Sequence, residues 1–210
     1  MSEKSTDTAT GDERLASFNE LARRSSHEIR NALNAVAVNL EVARSRLERS
    51  EQQDDTLAKS VAPFARSAAE QLEVLAGLTE SFMALARSGL GESVSLEAVV
   101  RNASRLADGV ARSEGRAVTF DGGGVHGSRT VSGNDAGWVV VRLLLTGLAE
   151  GDGQSLTVGL VEGPRMFVRA VSGAELPTLD VGFVQAAAAS GVQLTKEYGC
   201  WYAGFTSSGA

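Results

Sequence analysis

The sequence predicts an α+β protein, with an N-terminal antiparallel helical hairpin that forms a dimeric four-helix bundle and a C-terminal domain of helices and strands. Three observations predict this fold class. Apolar residues recur every three or four positions through two long segments, as on helices that bury one face. After Gly91 the pattern changes to shorter apolar segments separated by turn residues. Hydrophobic residues make up 43% of the 210 positions, which is enough for a core, and aromatic residues make up only 5%.

The first segment begins after a polar stretch, residues 1–12, which we predict to be a disordered tail. From Glu13 onward the apolar spacing predicts one continuous helix of roughly nine turns. The positions that form its stripe are Leu15, Phe18, Ala22, Ser25, Ile29, Leu33 (or Ala32), Val36, Leu40, Ala43 and Leu47.

A second helix follows the polar segment "RSEQQDD". Its stripe consists of Leu57, Val61, Phe64, Ala68, Leu72, Leu75, Leu78, Phe82 and Leu85. Pro63 lacks an amide hydrogen, so this helix either starts near Ser60 or kinks at the proline. Gly89 and Gly91 are typical of a helix end.

Two long helices with a short connection form an antiparallel hairpin, here residues 13–90. A hairpin alone leaves part of each apolar stripe exposed to water. A second copy of the chain would cover it by forming a four-helix bundle across a two-fold axis, and this homodimer is the favoured prediction. The alternative is that the C-terminal region covers the hairpin within one chain.

Residues 91–210 have the pattern of an α/β domain. Ser95 is placed to cap a helix that ends at Gly115, and residues 135–149 predict a mostly buried helix. The segments "RAVTFD", "SLTVGLV", "MFVRAVS", "VQLTKEYG" and "CWYAGFTSS" predict strands, and "VGFVQAAAAS" predicts a further helix. The segment "DGGGVHGSRT" predicts a loop. Helices and a mixed or antiparallel sheet predict a sandwich with one open sheet face.

Composition excludes several classes of function. A net charge of −6 argues against non-specific nucleic-acid binding, because phosphate neutralisation requires a basic excess. One cysteine, Cys200, permits neither an internal disulfide nor a cysteine-based zinc site, and two histidines, His27 and His126, make a catalytic metal site unlikely to form. No segment approaches the roughly 20 apolar residues of a membrane span, so we expect a cytoplasmic protein with no membrane partner.

The segment "SSHEIRNALN" places ionisable and amide side chains together on the polar side of the first helix. Asn31 lies one turn after His27 on the same face. A neutral imidazole is a nucleophile when its second nitrogen is held as a donor, and Glu28 is placed to hold it. Arg30 supplies positive charge where a transferring phosphoryl group would carry negative charge. From spacing alone, a solvated helix face is the simpler interpretation.

The order of these residues resembles the H-box of bacterial sensor histidine kinases, in which the phosphoacceptor histidine is followed by Glu, an aliphatic residue, a basic residue, Asn or Thr, and Pro-Leu. This chain has Ala32 where that family usually has proline. The resemblance implies that His27 accepts a phosphoryl group on a ring nitrogen and that Glu28 assists the transfer. It also implies that Asn31 serves water-directed dephosphorylation.

The second half resembles the ATP-binding domain of the same family in order and length, but it departs from the family's nucleotide-binding residues. Arg142 and Thr146 stand where the family has two asparagines. Val171 stands where the family has an aspartate that accepts a hydrogen bond from the adenine amino group. Gly173 and Pro177 are kept, whereas Glu175 replaces a glycine. The resemblance therefore implies a degenerate ATPase-like domain, residues 91–210, that binds no nucleotide cofactor.

Together these features resemble the kinase-derived dimeric histidine phosphotransferases. The resemblance implies a phosphorelay protein without autokinase activity, whose partners are response-regulator receiver domains and whose only Mg²⁺ is the one bound by the receiver. Three alternatives stay open: a divergent sensor-type kinase, a phosphatase that acts through Asn31, and a non-catalytic dimeric scaffold.

Overall fold

The computed structural model describes residues 3–48, 55–88, 93–122, 130–150 and 154–206. The predictions for the connection between the first two helices, for Gly89 and Gly91, and for His126 concern residues outside these ranges. The elements in chain order are α1 (Glu3–Glu48), α2 (Asp55–Ser88), β1 (Ser93–Ser95), α3 (Leu96–Ser113), β2 (Val118–Asp121), β3 (Thr130–Ser132), α4 (Gly133–Glu150), β4 (Leu156–Val161), β5 (Arg165–Ala170), α5 (Val181–Ala189), β6 (Val192–Glu197) and β7 (Cys200–Phe205). The predicted α+β class, with a helical N-terminal part and a sheet domain, is confirmed.

Helix α1 begins at Glu3, within the segment 1–12 for which the sequence predicts a disordered tail. Adding a residue to an existing helix is much easier than nucleating one, because each added residue forms a hydrogen bond. The segment contains no proline, and acidic residues near its start favour the positive end of the helix dipole. Polar composition alone therefore did not predict where the helix starts.

Helices α1 and α2 form the predicted antiparallel hairpin. The side-chain amide of Asn39 donates to the hydroxyl of Ser67 over 3.2 Å. One turn from the end of α1, Arg46 donates to the carbonyl oxygen of Ser60 over 3.0 Å, and its guanidinium lies 4.4 Å from the centre of the Phe64 ring. Helix α2 starts before Ser60 and continues through Pro63, which is exposed.

The second part of the chain forms a mixed sheet with the strand order β2-β4-β5-β7-β6. Strands β2 and β4 are parallel, and the other neighbours are antiparallel. Two three-residue strands that the sequence did not predict, β1 and β3, pair separately. Ser95 caps α3 as predicted, since its hydroxyl accepts a bond from the amide of Ala98 over 3.5 Å.

Helices α3, α4 and α5 pack on one face of this sheet. Alternate strand residues, including Val158, Met166, Val168 and Trp201, are fully buried against them. Trp138 on α4 meets Phe183 on α5 edge to face, with ring centres 5.6 Å apart. Among the described residues no helix packs on the opposite sheet face, which agrees with the predicted two-layer sandwich.

The apolar side of α1 is covered in two different ways. Towards its N-terminal end, Ser17, Leu21 and Ser25 are buried, and α1 contacts α3, α4 and α5 as well as α2. Cover by the C-terminal region, the alternative to dimerisation, is therefore observed for this part. Further along, Leu33, Leu40 and Leu47 are about half exposed and recur every seven residues.

Candidate functional site

Position 27 lies within the continuous backbone of α1, and the side chain of His27 is outside the part of the chain that the structure describes. Arg23 and Asn31, one turn before it and one turn after it, are exposed, and so is Arg30. Residues four apart share one face of a helix. The face of α1 that carries position 27 is therefore open to solvent at its neighbouring positions.

Two arginines that precede position 27 are bound to one carboxylate. Glu20 accepts bonds of 3.0 and 2.9 Å from Arg23 and one of 2.6 Å from Arg24. The hydrogen bonds from Arg23, then those from Arg24, lower the pKa of Glu20 from 4.5 to about 2. The spacing of three and four residues between an acid and two bases in "ELARR" is a helical ion-pair signal that the sequence analysis did not use.

Arg30 differs from these two arginines. It is exposed, and it has no carboxylate partner among the described residues. Glu20 offsets only one of the two positive charges of Arg23 and Arg24, but it holds both guanidinium groups in hydrogen bonds. Arg30, three residues after position 27, is not held by a carboxylate of the described residues and is open to an approaching anion.

The two remaining candidates on this segment are less exposed. Glu28 is half-buried, and Ser25 is 3% exposed. The hydroxyl of Ser25 is enclosed among the packed helices and has no hydrogen-bond partner among the described residues. Its role is in packing, because its position falls on the buried side of α1.

The second helix contributes residues that the sequence analysis did not select. In an antiparallel hairpin with a constant register, the residue numbers of facing positions always add to the same value. The hydrogen-bonded pairs 39–67 and 46–60 both obey this relation, and it places position 79 opposite position 27. Thr79 is exposed and donates to the carbonyl oxygen of Leu75 over 2.9 Å. Met83, one turn further, is 49% exposed. A partner that approaches position 27 would therefore also meet this part of α2.

The positions matched in sequence to the nucleotide-binding residues of the kinase family lie on α4 and in the segment after β5. Val171, which directly follows β5, is 60% exposed. Arg142 and Thr146 lie half-buried on α4. The carboxylate of Glu175 lies 3.2 Å from the ammonium group of Lys196, which also donates to the carbonyl oxygen of Leu176 over 2.6 Å. Glu175 is thus held by the β6–β7 hairpin.

The described residues contain no group of three or more His, Cys, Asp or Glu side chains placed to hold a metal ion. None of their helices combines the length and the apolar content that a membrane span requires.

The fold was then compared with known proteins. It is similar to the Acinetobacter baumannii histidine kinase AdeS, with 12% sequence identity and a TM-score of 0.41 over 87% of this chain and 98% of that one. It is also similar to full-length ShkA in complex with AMPPNP, with 17% identity and a TM-score of 0.41 over 91% of this chain and 47% of that one. This chain thus spans about half the length of ShkA. At these scores neither similarity carries an assignment of activity. No protein-family model and no curated protein matches the sequence.

Proposed function

We propose that this chain is a histidine phosphotransferase that relays phosphoryl groups between the aspartates of response-regulator receiver domains through His27. The proposal includes a cytoplasmic homodimer, in which two copies of the hairpin form a four-helix bundle and each carries one phosphoacceptor. The observation that carries the proposal is the sequence "SSHEIRNALN" in the first helix of an antiparallel hairpin, with Arg30 and Asn31 exposed.

The surroundings of position 27 support this role. Asn31 and Arg30 are exposed, so a receiver domain can reach both from solvent. Arg30 offers a cation to the negatively charged oxygens of a phosphoryl group in transit, and such stabilisation is the main protein contribution to phosphoryl transfer. Arg23 donates to the carboxylate of Glu20, which orients its guanidinium away from this task and leaves Arg30 as the electrostatic aid.

The transfer itself needs few groups. A neutral imidazole nitrogen of His27 attacks the phosphorus of the partner's aspartyl phosphate, a nitrogen–phosphorus bond forms, and the oxygen–phosphorus bond to the aspartate breaks. The aspartate leaves as a carboxylate, and its receiver's own Mg²⁺ offsets the charge. A hydrogen-bond acceptor that holds the second ring N–H stabilises the cationic product, and we assign this role to Glu28. The reverse reaction passes the group to a second receiver.

The degenerate character of the second domain separates this proposal from a sensor kinase. Val171 offers no acceptor for an adenine amino group, and the hydroxyl of Thr146 is a weaker Mg²⁺ ligand than the amide oxygen it replaces. The carboxylate of Glu175 adds negative charge where the family brings backbone close to phosphates. Phosphate must then come from another protein rather than from ATP.

A phosphotransfer assay tests the proposal. The protein is incubated with a receiver domain carrying a labelled aspartyl phosphate, and the label on the chain is followed by its acid lability and base stability. Wild-type protein is expected to take the label and to pass it to a second receiver, whereas His27→Ala is expected to take none. The matched control is Arg23→Gln, which changes an exposed residue one turn away and should retain transfer. A His27→Ala protein that still carries phosphate between receivers would overturn the proposal.

Incubation with labelled ATP and Mg²⁺ alone separates the relay from a divergent kinase. No label is expected on the wild-type chain, and label that depends on His27 would instead support the kinase. Asn31→Ala separates the relay from a phosphatase that drains a receiver, because this variant should still accept and pass phosphate in a relay, whereas a phosphatase acting through Asn31 would no longer release phosphate from the receiver. Loss of acceptance in that variant would contradict the role assigned to Asn31.

A further inference from the structure

A groove runs along the surface between helices α2 and α3. Helix α2 lines it with residues between Glu70 and Glu80, and α3 lines it with residues between Arg105 and Arg112. At a rise of about 1.5 Å per residue, the α2 side is about 15 Å long, which is roughly three turns of a helix. The groove has a volume of about 720 Å³. It is therefore long enough for a short helix to lie in it.

The floor of the groove is apolar. Leu78 is buried there, and Val74, one turn before it on α2, is 52% exposed and lines the groove. Gly109 on α3 allows the two helices to approach closely, since a Cβ atom at that position would be 3.1 Å from the side chain of Leu78. An apolar side chain that enters the groove would cover Val74 and pack near Leu78.

Gly77 leaves the middle of the groove without a side chain. Glycine inside a helix is less favourable than alanine, because glycine loses more backbone freedom on folding. A Cβ atom at Gly77 would lie 3.6 Å from a guanidinium nitrogen of Arg105, which is an ordinary contact distance. Close packing of α2 on α3 therefore explains the glycine at position 109 but not the one at position 77. The effect of Gly77 is to keep space open between the two walls.

The α2 wall of the groove is acidic. It carries three exposed glutamates that form no ion pair with another described residue: Glu70, Glu73 and Glu80. The α3 wall carries Arg105 and a pair in which Arg112 donates to Asp108 over 2.8 Å. Carboxylates thus outnumber guanidinium groups in the groove, and one guanidinium is already paired. Like charges along one face of a helix repel one another. The groove therefore favours a cationic partner.

We propose that this groove binds a basic amphipathic helix of a partner protein. Apolar side chains at every third or fourth position of that helix pack on Val74 and into the space over Gly77. Lysine or arginine side chains beside this stripe bind the three glutamates of the α2 wall. An apolar helix face in a groove is a recurring mode of protein recognition, and complementary charge selects the partner. The proposal does not depend on a relay through His27.

The exposed leucines of the hairpin face another direction. Leu72 is 49% exposed, and by helix geometry it lies about 160° around α2 from Val74. A homodimer that buries Leu72 therefore leaves the groove open. A second copy of the chain also carries a net charge of −6, which the acidic wall disfavours. The charges thus favour a different protein as the occupant.

Fluorescence anisotropy tests the proposal on the full-length protein. The probe is a labelled peptide of about three helical turns, in which leucines recur every three or four positions and all other residues are lysines. One control peptide has glutamate in place of every lysine, and the other has serine in place of every leucine. We expect both control peptides to bind at least about 10-fold more weakly than the probe, because one brings like charges together and the other lacks the apolar anchors. Equal binding of either control peptide would overturn the proposal.

Substitutions locate the binding. Gly77→Leu fills the middle of the groove and is expected to weaken binding by about 30-fold, as the loss of a hot spot does. The same variant should unfold at a higher urea concentration, because leucine favours a helix more than glycine does. Val74→Ser should weaken binding by about 5-fold, and Val38→Ser, at a 62% exposed valine on α1, is the matched control and should bind normally. Unchanged binding in both groove variants would overturn the proposal.

Charge provides a second readout that a purely structural role would not change. Glu73→Gln is expected to weaken binding by up to about 5-fold at low salt and to reduce the salt dependence of the affinity. Glu162→Gln, which makes the same change of net charge in the β4–β5 turn, is the matched control and should leave both unchanged. Equal effects of the two variants would contradict the assignment, because net charge alone would then explain the binding.

Two further measurements separate this proposal from the others. Light scattering should give Gly77→Leu the same mass as the wild type, and a lower mass would overturn the proposal by showing that the groove is an interface between copies of the chain. His27→Ala should bind the peptide like the wild type. Loss of peptide binding in His27→Ala would contradict the groove assignment, whereas failure of phosphotransfer leaves it intact, so the two proposals fail separately.

Discussion

The side-chain amide of Asn39 on α1 donates a hydrogen bond of 3.2 Å to the hydroxyl of Ser67 on α2, and both residues are only partly exposed. This bond and the one from Arg46 to the carbonyl oxygen of Ser60 connect two helices that also pack through apolar side chains. A directional polar bond fixes one relative position. It thereby determines which part of α2 lies level with position 27.

We expect Asn39→Ala to lower the free energy of unfolding by about 1 kcal/mol, the usual net value of a part-buried hydrogen bond. Urea denaturation followed by circular dichroism measures the change. Ser67→Ala and the double variant complete a mutant cycle, in which the coupling should account for most of the loss. Strictly additive effects would indicate that the bond does not fix the register of the hairpin.

The second prediction concerns the proposed homodimer. Leu33, Leu40 and Leu47 form an exposed heptad line on α1, and Leu72 and Met83 are similarly exposed on α2. Heptad spacing is typical of helices that pack against other helices in a bundle. By helix geometry the line is displaced by about 120–160° from position 27, so that dimerisation would leave the phosphoacceptor side free.

We therefore expect Leu40→Glu to convert the protein from a dimer to a folded monomer. Light scattering during size-exclusion chromatography measures the mass, and circular dichroism checks the fold. Val38→Glu is the matched control, because Val38 is 62% exposed on a different side of the same helix. If Val38→Glu disrupts the dimer and Leu40→Glu does not, the heptad line is not the interface.

The third prediction follows from Glu20. Its pKa falls from 4.5 to about 2 because it accepts hydrogen bonds from Arg23 and Arg24. A carboxyl group with a lowered pKa in the folded state stabilises that state above its unfolded pKa, and the contribution is lost as the pH falls towards 2. The side chains of Glu20 and Arg24 are about one-third and one-quarter exposed to water. Screening by water therefore limits the contribution of this ion pair to the free energy of unfolding to a few tenths of a kcal/mol up to about 1.

Glu20→Gln should accordingly be less stable than the wild type at pH 7, and the difference should shrink as the pH falls from about 4.5 towards 2. Urea titrations at a series of pH values measure it. Glu41→Gln, which removes a more exposed pair with Arg44, is the control and should show a smaller difference at pH 7. A difference in stability between wild type and Glu20→Gln that grows as the pH falls would contradict this prediction.

The fourth prediction concerns buried hydroxyl groups. Ser81 on α2 is fully buried, and its hydroxyl has no hydrogen-bond partner among the described residues. Removing an unsatisfied polar group relieves its desolvation cost, so we expect Ser81→Ala to stabilise the protein by about 1 kcal/mol. Alanine also favours helix slightly over serine. Ser45→Ala, at a half-buried position of α1, measures that helix preference alone, and denaturation midpoints compare the two. A loss of stability in Ser81→Ala would show that its hydroxyl is bonded in solution.

The sequence predicted the elements of the second domain well because they are bounded by clear local signals. The segment "SLTVGLV" is mostly apolar and lies between polar turns, and it forms β4. Ser95 precedes the amphipathic helix α3 and caps it. The short strands β1 and β3 were missed, since three residues are too few to show a period. A sequence pattern identifies a helix or strand only when that element is long enough to show its hydrophobic period.

Tertiary relationships were harder to predict. The apolar stripe of α1 was visible, but nothing in it distinguishes the part that packs on α4 and α5 from the part that remains exposed. Ser17 and Ser25 are buried although a hydroxyl gives no hydrophobic signal. The candidate site was likewise predicted as a set of residues on one helix, whereas Thr79 enters through a register that only the packing of α2 determines.

The last prediction concerns the position of the Phe167 ring over Gly159 on the open sheet face. A Cβ atom at position 159 would lie 2.5 Å from the Phe167 ring and 2.8 Å from the backbone carbonyl oxygen of Asp121. The ring can rotate away, but the carbonyl belongs to the paired strand β2 and cannot move without loss of pairing. We expect Gly159→Ala to lower the free energy of unfolding by about 1–3 kcal/mol, as overpacking in a well-ordered site does. Gly204→Ala is the matched control on β7, where the nearest atom would be 3.6 Å away, at ordinary contact distance. Chemical denaturation measures both variants, and equal stability of the two would show that the ring does not rest on the backbone at Gly159.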